Sequence, residues 1–462
     1  MKLADLKNKK IHLIGISGAE SSSLALFLAS LGIKNLIGHD FKTAAEFKRS
    51  FFNYHDNLNN SAKNALFDKL KTSFKKINFK NSYLAGIKEA EIIFAPASYF
   101  RYPQNRPLVT LKAQGRVKIW NWYNLLLEFY PGLLIGVTGT AGKGTVTNLL
   151  YQILKTAKKK VWLAGESWHY LDLARIFKTG QQGIVVAEVN NRTLLLAGES
   201  KKSPSVAIIT NIFPHHLDDH HNSFAEYKKV KLEIRRYQKP GDLLIVNGQD
   251  PEIAKLAWPK KTIIYNSHNA QSKLINNKNL IAEHLKSDAV AAIIVAKTLK
   301  IGNQAISRAL GGFKPRSGRL EPIRNYQGIQ FINDGAATRL KSTIEALNSF
   351  PAGKIILILE GSRKAPEKMM AEYLKLIKAI KERKVKAVIV SGRIRKFLLP
   401  LLLKAGLNAV PAANLAGATK QASAKAKKND IVLLSPAHES FGEFADYRAR
   451  SEKFKELVNQ LP

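Results

Sequence analysis

The chain has 462 residues, enough for several domains with separate cores, and 45% of them are hydrophobic, an ordinary share for a globular protein. Lysine and arginine number 73 against 35 acidic residues, a formal charge of +38, and the absence of cysteine excludes disulfides, thiolate metal sites and cysteine nucleophiles. No apolar run approaches the roughly 18 residues of a membrane span, and the basic residues 1–5 lead into a strand rather than a signal-peptide core, so a cytoplasmic protein is expected.

Ile11-His12-Leu13-Ile14 predicts a strand, Gly15-Ile16-Ser17-Gly18 a turn, and residues 21–31 a helix. Leu36-Ile37-Gly38-His39 predicts a second strand, ended by Asp40. This is a Rossmann-like opening, and Gly15, Ser17 and Gly18 are its candidates for holding an anion on free N–H groups. Residues 41–90 read as polar and helical, 91–97 as a strand entering a Pro-marked loop, and 117–129 as a connecting segment. A first domain is therefore expected over residues 1–117.

Residues 133–137 then predict a buried strand, Gly139-Thr140-Ala141-Gly142 a glycine-rich turn, and residues 146–154 a helix. Such a turn aims backbone N–H groups and the positive end of a helix at one point, and Lys143 adds a full charge there. The ligand this favours is a polyphosphate, the β- and γ-phosphates of ATP, on Gly139, Thr140, Ala141, Gly142, Lys143, Gly144 and Thr145. The general phosphate-loop pattern wants Gly six positions before the lysine and a hydroxyl directly after it. Val137 and Gly144 stand in those places, and the hydroxyl comes one residue later, at Thr145.

Strands at 183–188, 205–211 and 242–247 follow, then helices over 285–311 and a Gly/Pro/Arg-rich hinge at 315–322. Strands recur at 329–332, 354–359, 387–390 and 431–434, again alternating with helices. The expected architecture is α/β with three domains. A Rossmann-like N-terminal domain precedes a central P-loop-type, parallel-sheet ATPase domain over 118–315, and a C-terminal Rossmann-like α/β domain fills 316–462.

Asn211-Ile212-Phe213-Pro214-His215-His216-Leu217-Asp218-Asp219-His220 follows a strand end, where open α/β sheets place their sites. Four histidines, His215, His216, His220 and His221, make zinc one reading; with no cysteine nearby, the adjoining phosphate loop favours magnesium. Tyr227-Lys228-Lys229-Val230-Lys231 comes next. This succession resembles the central signature of the Mur ligases, which add amino acids to peptidoglycan precursors. The loop form is also similar to that of folylpolyglutamate synthases. Asn333-Asp334-Gly335-Ala336-Ala337-Thr338 and Leu433-Leu434-Ser435-Pro436-Ala437 side with the Mur ligases, in the form that adds D-glutamate.

The resemblance implies a reaction and its parts. ATP would phosphorylate the carboxylate of UDP-N-acetylmuramoyl-L-alanine, and the amine of D-glutamate would displace phosphate from the acyl phosphate. It assigns catalysis to Lys143, His216 and Lys231, with magnesium on Thr145, Glu188, His216 and Lys231, the last carbamylated. Arg319 and Asp334 would reach the nucleotide, while Thr338, Lys364, Ser440 and Tyr447 would grip the amino acid. A monomer is expected. Several family positions differ here: His215 replaces an aspartate, Ala336 a lysine, and Leu285 and Asp288 two asparagines. These differences fall on substrate contacts more than on the ATP core. They motivate two other readings, a related ligase with another substrate and a non-catalytic nucleotide binder, while the charge of +38 motivates a nucleic-acid binder. Basic runs such as Lys158-Lys159-Lys160 are short and scattered, with no nucleic-acid motif beside them, so nucleic acid is not the expected partner.

Overall fold

The computed structural model describes residues 2–461 except 56–57, 166–169, 180–182, 278–279, 281–282, 315–316 and 364–365, with backbone only at 170–172, 179, 366 and 368. The chain forms two compact units, Met1–Leu274 with Ser287–Leu310, and Ile275–Lys286 with Gly311–Pro462.

The first unit holds two parallel sheets. One consists of β1 (Ile11–Ile14), β2 (Leu36–His39), β3 (Lys76–Asn78), β4 (Ile92–Phe94) and β5 (Ile119–Trp120), in the order β3-β2-β1-β4-β5. The other consists of β6 (Leu133–Thr138), β7 (Val161–Ala164), β8 (Ile184–Glu188), β9 (Val206–Ile209), β10 (Leu243–Asn247) and β11 (Ile263–Tyr265), in the order β11-β10-β9-β6-β8-β7. Such strands are buried on both faces, which is why β6, β8 and β9 read as unbroken apolar runs.

The segment expected to be a mere connection is instead core. β5 pairs with β4, and a helix follows at Trp122–Phe129, burying Trp120, Trp122, Tyr123, Leu125 and Leu126. Each such side chain contributes roughly 1.5–3 kcal/mol by burial. Asn121 caps this helix by accepting from the amides of Tyr123 and Asn124, and its Nδ2 donates 2.9 Å to Thr193 O. Asn124 Nδ2 donates 2.9 Å to Leu196 O, so both buried asparagines tie the segment to the helix Asn191–Ala197. The expected division after residue 117 thus falls just short of a strand that belongs to the first sheet. In the polar stretch 41–90, helices form at Ala44–Tyr54 and Asn60–Thr72, and β3 comes between them and β4.

The second unit holds one mixed sheet. Its strands are β12 (Glu321–Tyr326), β13 (Ile329–Asn333), β14 (Ile355–Glu360), β15 (Ala387–Val390), β16 (Ala409–Pro411) and β17 (Ile431–Ala437), in the order β12-β13-β17-β14-β15-β16. β12 runs antiparallel to β13 on the edge, joined by Gln327 at φ 51° and Gly328 at φ 78°, the two positive angles of a type I′ hairpin turn. The hinge expected at 315–322 overlaps this strand, and residues 315–316 lie outside the described residues. A register shift between Pro322 and Arg324 breaks the alternation that would have announced it.

Candidate active site

β6 lies between β9 and β8, and its carboxyl end delivers the chain into the glycine-rich turn. The turn then feeds the helix Lys143–Thr156, with Gly142 at its cap in the left-handed region, φ 80°. A Cβ on Gly142 would sit 2.4 Å from Asp288 Oδ1, and one on Gly139, at φ 147°, 1.9 Å from Thr210 Oγ1. Both positions therefore demand glycine.

The turn is held by the segment after β9. Thr140 N donates 2.9 Å to Asn211 O, and Ala141 N donates 2.8 Å to Asn211 Oδ1. Asn211 Nδ2 and Thr210 Oγ1 both donate to Ala141 O, at 3.2 and 2.6 Å. Thr140 Oγ1 donates to Phe213 O at 3.2 Å and pairs with the buried Tyr227 hydroxyl at 3.0 Å. One asparagine side chain thus clamps both backbone groups of Ala141.

Two lysines close over this turn. Lys143 Nζ donates to Gly139 O and Thr140 O, at 3.0 and 3.2 Å. Lys231 Nζ, on the helix Phe224–Leu232, donates to Gly139 O at 2.8 Å and Thr138 Oγ1 at 3.3 Å. Lys231 is 1% exposed, and burial, with Lys143 adding repulsion, holds its amine well below the usual lysine range while Glu188 opposes the shift. Glu188 ends β8 and pairs in register with Val137 of β6.

His216 opens the turn Leu217–His220 in a left-handed conformation, φ 48°, with its ring stacked on His215 at 3.6 Å. Among the described residues, its ring lies within reach of a shared cation only with Asp218 and Asp219; Glu188 is not part of that group. Both acids already face arginines. Arg101 reaches Asp218 at 3.0 Å and Asp219 at 3.3 Å, and Arg192 Nε donates 2.7 Å to Asp219 Oδ2. His220 is buried, its Nε2 2.9 Å from Asn191 Nδ2, and burial holds it below the usual histidine range.

The first turn behaves differently from its expected role. Its N–H groups are not free: Gly15 N and Ile16 N donate to His39 O, Ser17 N to Asp40 Oδ2, and Gly18 N to Gly15 O. The turn is short enough to fold onto the neighbouring strand end, which consumes these donors. Glu20, in the first helical turn, accepts from Ala97 N at 3.1 Å, and burial pushes its carboxyl up to about 8.

In the second unit, Asp334 is buried and accepts from Ser435 Oγ at 2.8 Å and Leu320 N at 3.3 Å. Burial pushes its carboxyl up to about 7, against the opposing effects of Ser435 and Arg319. Arg319 and Tyr447 are exposed, Thr338 is partly exposed, and Ser440 is buried. Lys364 lies outside the described residues.

Two domain families match this chain: the Mur ligase middle domain over residues 137–310 and the Mur ligase glutamate ligase domain over residues 318–438. The chain belongs to the Mur ligase family. A relative from Clostridium acetobutylicum, named UDP-N-acetylmuramoylalanine--D-glutamate ligase, is 27% identical, with 99% of this chain and 97% of that protein aligned. Among solved structures, a pseudomurein peptide ligase type C from Methanothermus fervidus matches at a TM-score of 0.58 and 20% identity, over 98% of this chain and all of that one (100%). A Thermotoga maritima MurF ligase, solved in complex with ADP, matches at 0.53 and 17% identity, over 86% of this chain and 93% of that one. Both share the Mur ligase fold with this chain.

Asn211, Thr210 and Tyr227, the residues that hold the Mur ligase turn in place, were not among the expected site residues. Asn211 stands at the end of a predicted strand and, like Tyr227, within the segments that carry the family resemblance, and those were its signals. Asp288, against Gly142, was legible only as a position where the family carries asparagine, and Arg101, on Asp218 and Asp219, is remote in sequence from what it touches and carried no signal.

Proposed function

We propose that this chain is an ATP-dependent ligase joining D-glutamate to UDP-N-acetylmuramoylalanine, the reaction for which the Clostridium acetobutylicum relative is named. The observation that carries the reading is the meeting of Lys143 and Lys231 on the carbonyl of Gly139, inside a phosphate-type turn at a helix N-terminus.

A carboxylate and an amine do not condense in water without activation. Transfer of the γ-phosphoryl group of ATP to the carboxylate gives an acyl phosphate; the amine attacks its carbonyl, and phosphate leaves with the bonding pair. Such a transfer needs positioned cations more than covalent help. The residues of the turn, Gly139 to Thr145, bind the phosphates, and Lys143 swings from its two carbonyls to the transferring group. Thr145 and Glu188 would hold magnesium, since both offer the hard oxygen donors that it prefers. Magnesium, when bound, neutralises charge gathering on the phosphates.

Lys231 suits a further role. An amine held toward its neutral form can capture carbon dioxide with release of a proton, and as a carbamate it would offer an oxygen to magnesium, with His216 as a further proposed ligand. Residues 1–117 would take the nucleotide-sugar, with Gly15, Ser17 and Gly18 shaping its turn. Residues 118–315 would take ATP, and 316–462 the amino acid through Thr338, Lys364, Ser440 and Tyr447, with Arg319 and Asp334 turned to the nucleotide. The chain would work as a cytoplasmic monomer.

The test is phosphate release from ATP with UDP-N-acetylmuramoyl-L-alanine and a panel of amino acids, with product identified by mass. Release that requires both substrates, and a product carrying D-glutamate, is expected. Release indifferent to either substrate would overturn the reading.

A further inference from the structure

Arg450 is 0% exposed, a rare state for a guanidinium, and it spends its donors on three different loops. Its Nη1 reaches Glu360 Oε2 at 2.8 Å and His438 O at 3.1 Å, while Nε and Nη2 both donate to Gly335 O, at 3.2 and 2.9 Å. Glu360 ends β14, Gly335 lies just beyond β13, and His438 lies just beyond β17. Those three strands are adjacent in the sheet, in the order β13-β17-β14. One side chain therefore ties together the loops at their carboxyl ends, where open α/β sheets bind ligands.

The same loops carry the residues assigned to the amino acid. Thr338 follows Gly335, Ser440 follows His438, and Tyr447 begins the helix Tyr447–Asn459 that bears Arg450. His438 is fixed in turn, its Nε2 2.9 Å from Tyr373 OH and its Nδ1 2.8 Å from Pro436 O. A buried ion pair is a poor device for stability, because desolvation offsets its attraction. Glu360 Oε1 has no hydrogen-bond partner among the described residues, so the pair is not arranged for maximal stability either. What the guanidinium supplies is geometry: a rigid planar fork that fixes several acceptors at once.

We propose that Arg450, with Glu360 as its counter-ion, is the positioning residue that sets these three loops in the arrangement the incoming amino acid requires; this rests on the reading that Thr338, Ser440 and Tyr447 meet that substrate. Glu443 and Asp334 are the other acids whose charge reaches Arg450. Among the described residues neither hydrogen-bonds to it, and Glu360 is its ion-pair partner.

The experiment compares the full chain with Arg450→Met, Arg450→Lys and Glu360→Gln, by hydrogen exchange without ligands and by separate KM values for ATP and D-glutamate. Arg450→Met should speed exchange in residues 335–338 and 438–440 and raise the KM for D-glutamate by about tenfold or more, with the KM for ATP within about twofold. Arg450→Lys should recover part of the loss, because it keeps the charge and lacks the fork. Where Arg450→Met fails to fold, Glu360→Gln carries the test, with the same split at smaller size. Unchanged exchange in those loops, or an equal rise in both KM values, would overturn the proposal. A wild type that ligates no amino acid would overturn the reading beneath it, and faster loop exchange in the same variants would show that this reading was what failed.

Discussion

Lys143 and Lys231 donate to the same acceptor, the carbonyl oxygen of Gly139, at 3.0 and 2.8 Å. Two ammonium groups on one carbonyl repel each other, and only Lys231 is fully buried, so it is the one driven toward the neutral amine. The arrangement trades stability for a reactive amine beside a phosphate site.

This trade has a measurable sign. The unfolded chain holds the Lys231 proton over a pH range in which the folded chain does not, so stability should rise with pH toward the lysine range. Lys231→Met should remove that slope and raise Tm at neutral pH by about 2 °C or more. The same variant should be inactive. Thermal unfolding from pH 7 to about 10, without nucleotide or magnesium, reads the first effect, and phosphate release reads the second. A melting curve identical to wild type at every pH would show that the buried amine is not strained.

Lys143→Ala should leave the fold intact and lower turnover by a factor on the order of 10²–10³, the usual loss of one group that stabilises transition-state charge. Its ammonium lies on the turn surface and fills no core, so Tm should stay near wild type. Near-full turnover would remove Lys143 from the phosphate site.

Asn211→Asp replaces the donor to Ala141 O by a second acceptor while keeping the acceptor for Ala141 N. The lost and repulsive contacts should cost about 1–3 kcal/mol and weaken ATP binding more than they slow the amino-acid step. Calorimetric titration with ATP and denaturant unfolding would separate the two. Unaltered ATP affinity would mean that the clamp on Ala141 is not what shapes the turn.

Asp334, pushed up to about 7 by burial, binds its proton more tightly folded than unfolded. Its contribution is full below about pH 4 and is lost as pH rises through about 7. Glu360, also raised to about 7, acts in the same direction. Asp334→Asn should therefore gain on wild type as pH rises from about 5 to 8, by about 1 kcal/mol or more. A constant difference across that range would show that Asp334 is ionised throughout.

The sequence by itself determined the parts of this protein that repeat a local rule. Unbroken apolar runs announced β6, β8, β9, β14 and β17, because strands buried on both faces need no polar alternation. Gly139, Gly142 and Lys143 announced a phosphate turn, because only glycine fits those angles and contacts and the lysine is next in line. What the tertiary structure alone decided is which distant residues meet. Lys231 comes 88 positions after Lys143 and reaches the same carbonyl only because β9 and its following helix pack beside β6. Arg450 finds Glu360, Gly335 and His438 only once β13, β17 and β14 lie side by side. The amides of Gly15, Ser17 and Gly18 look available in the sequence and are consumed by β2, by Asp40 and by the turn's own Gly15 carbonyl respectively, because donors near a strand end bond whatever the fold brings next to them.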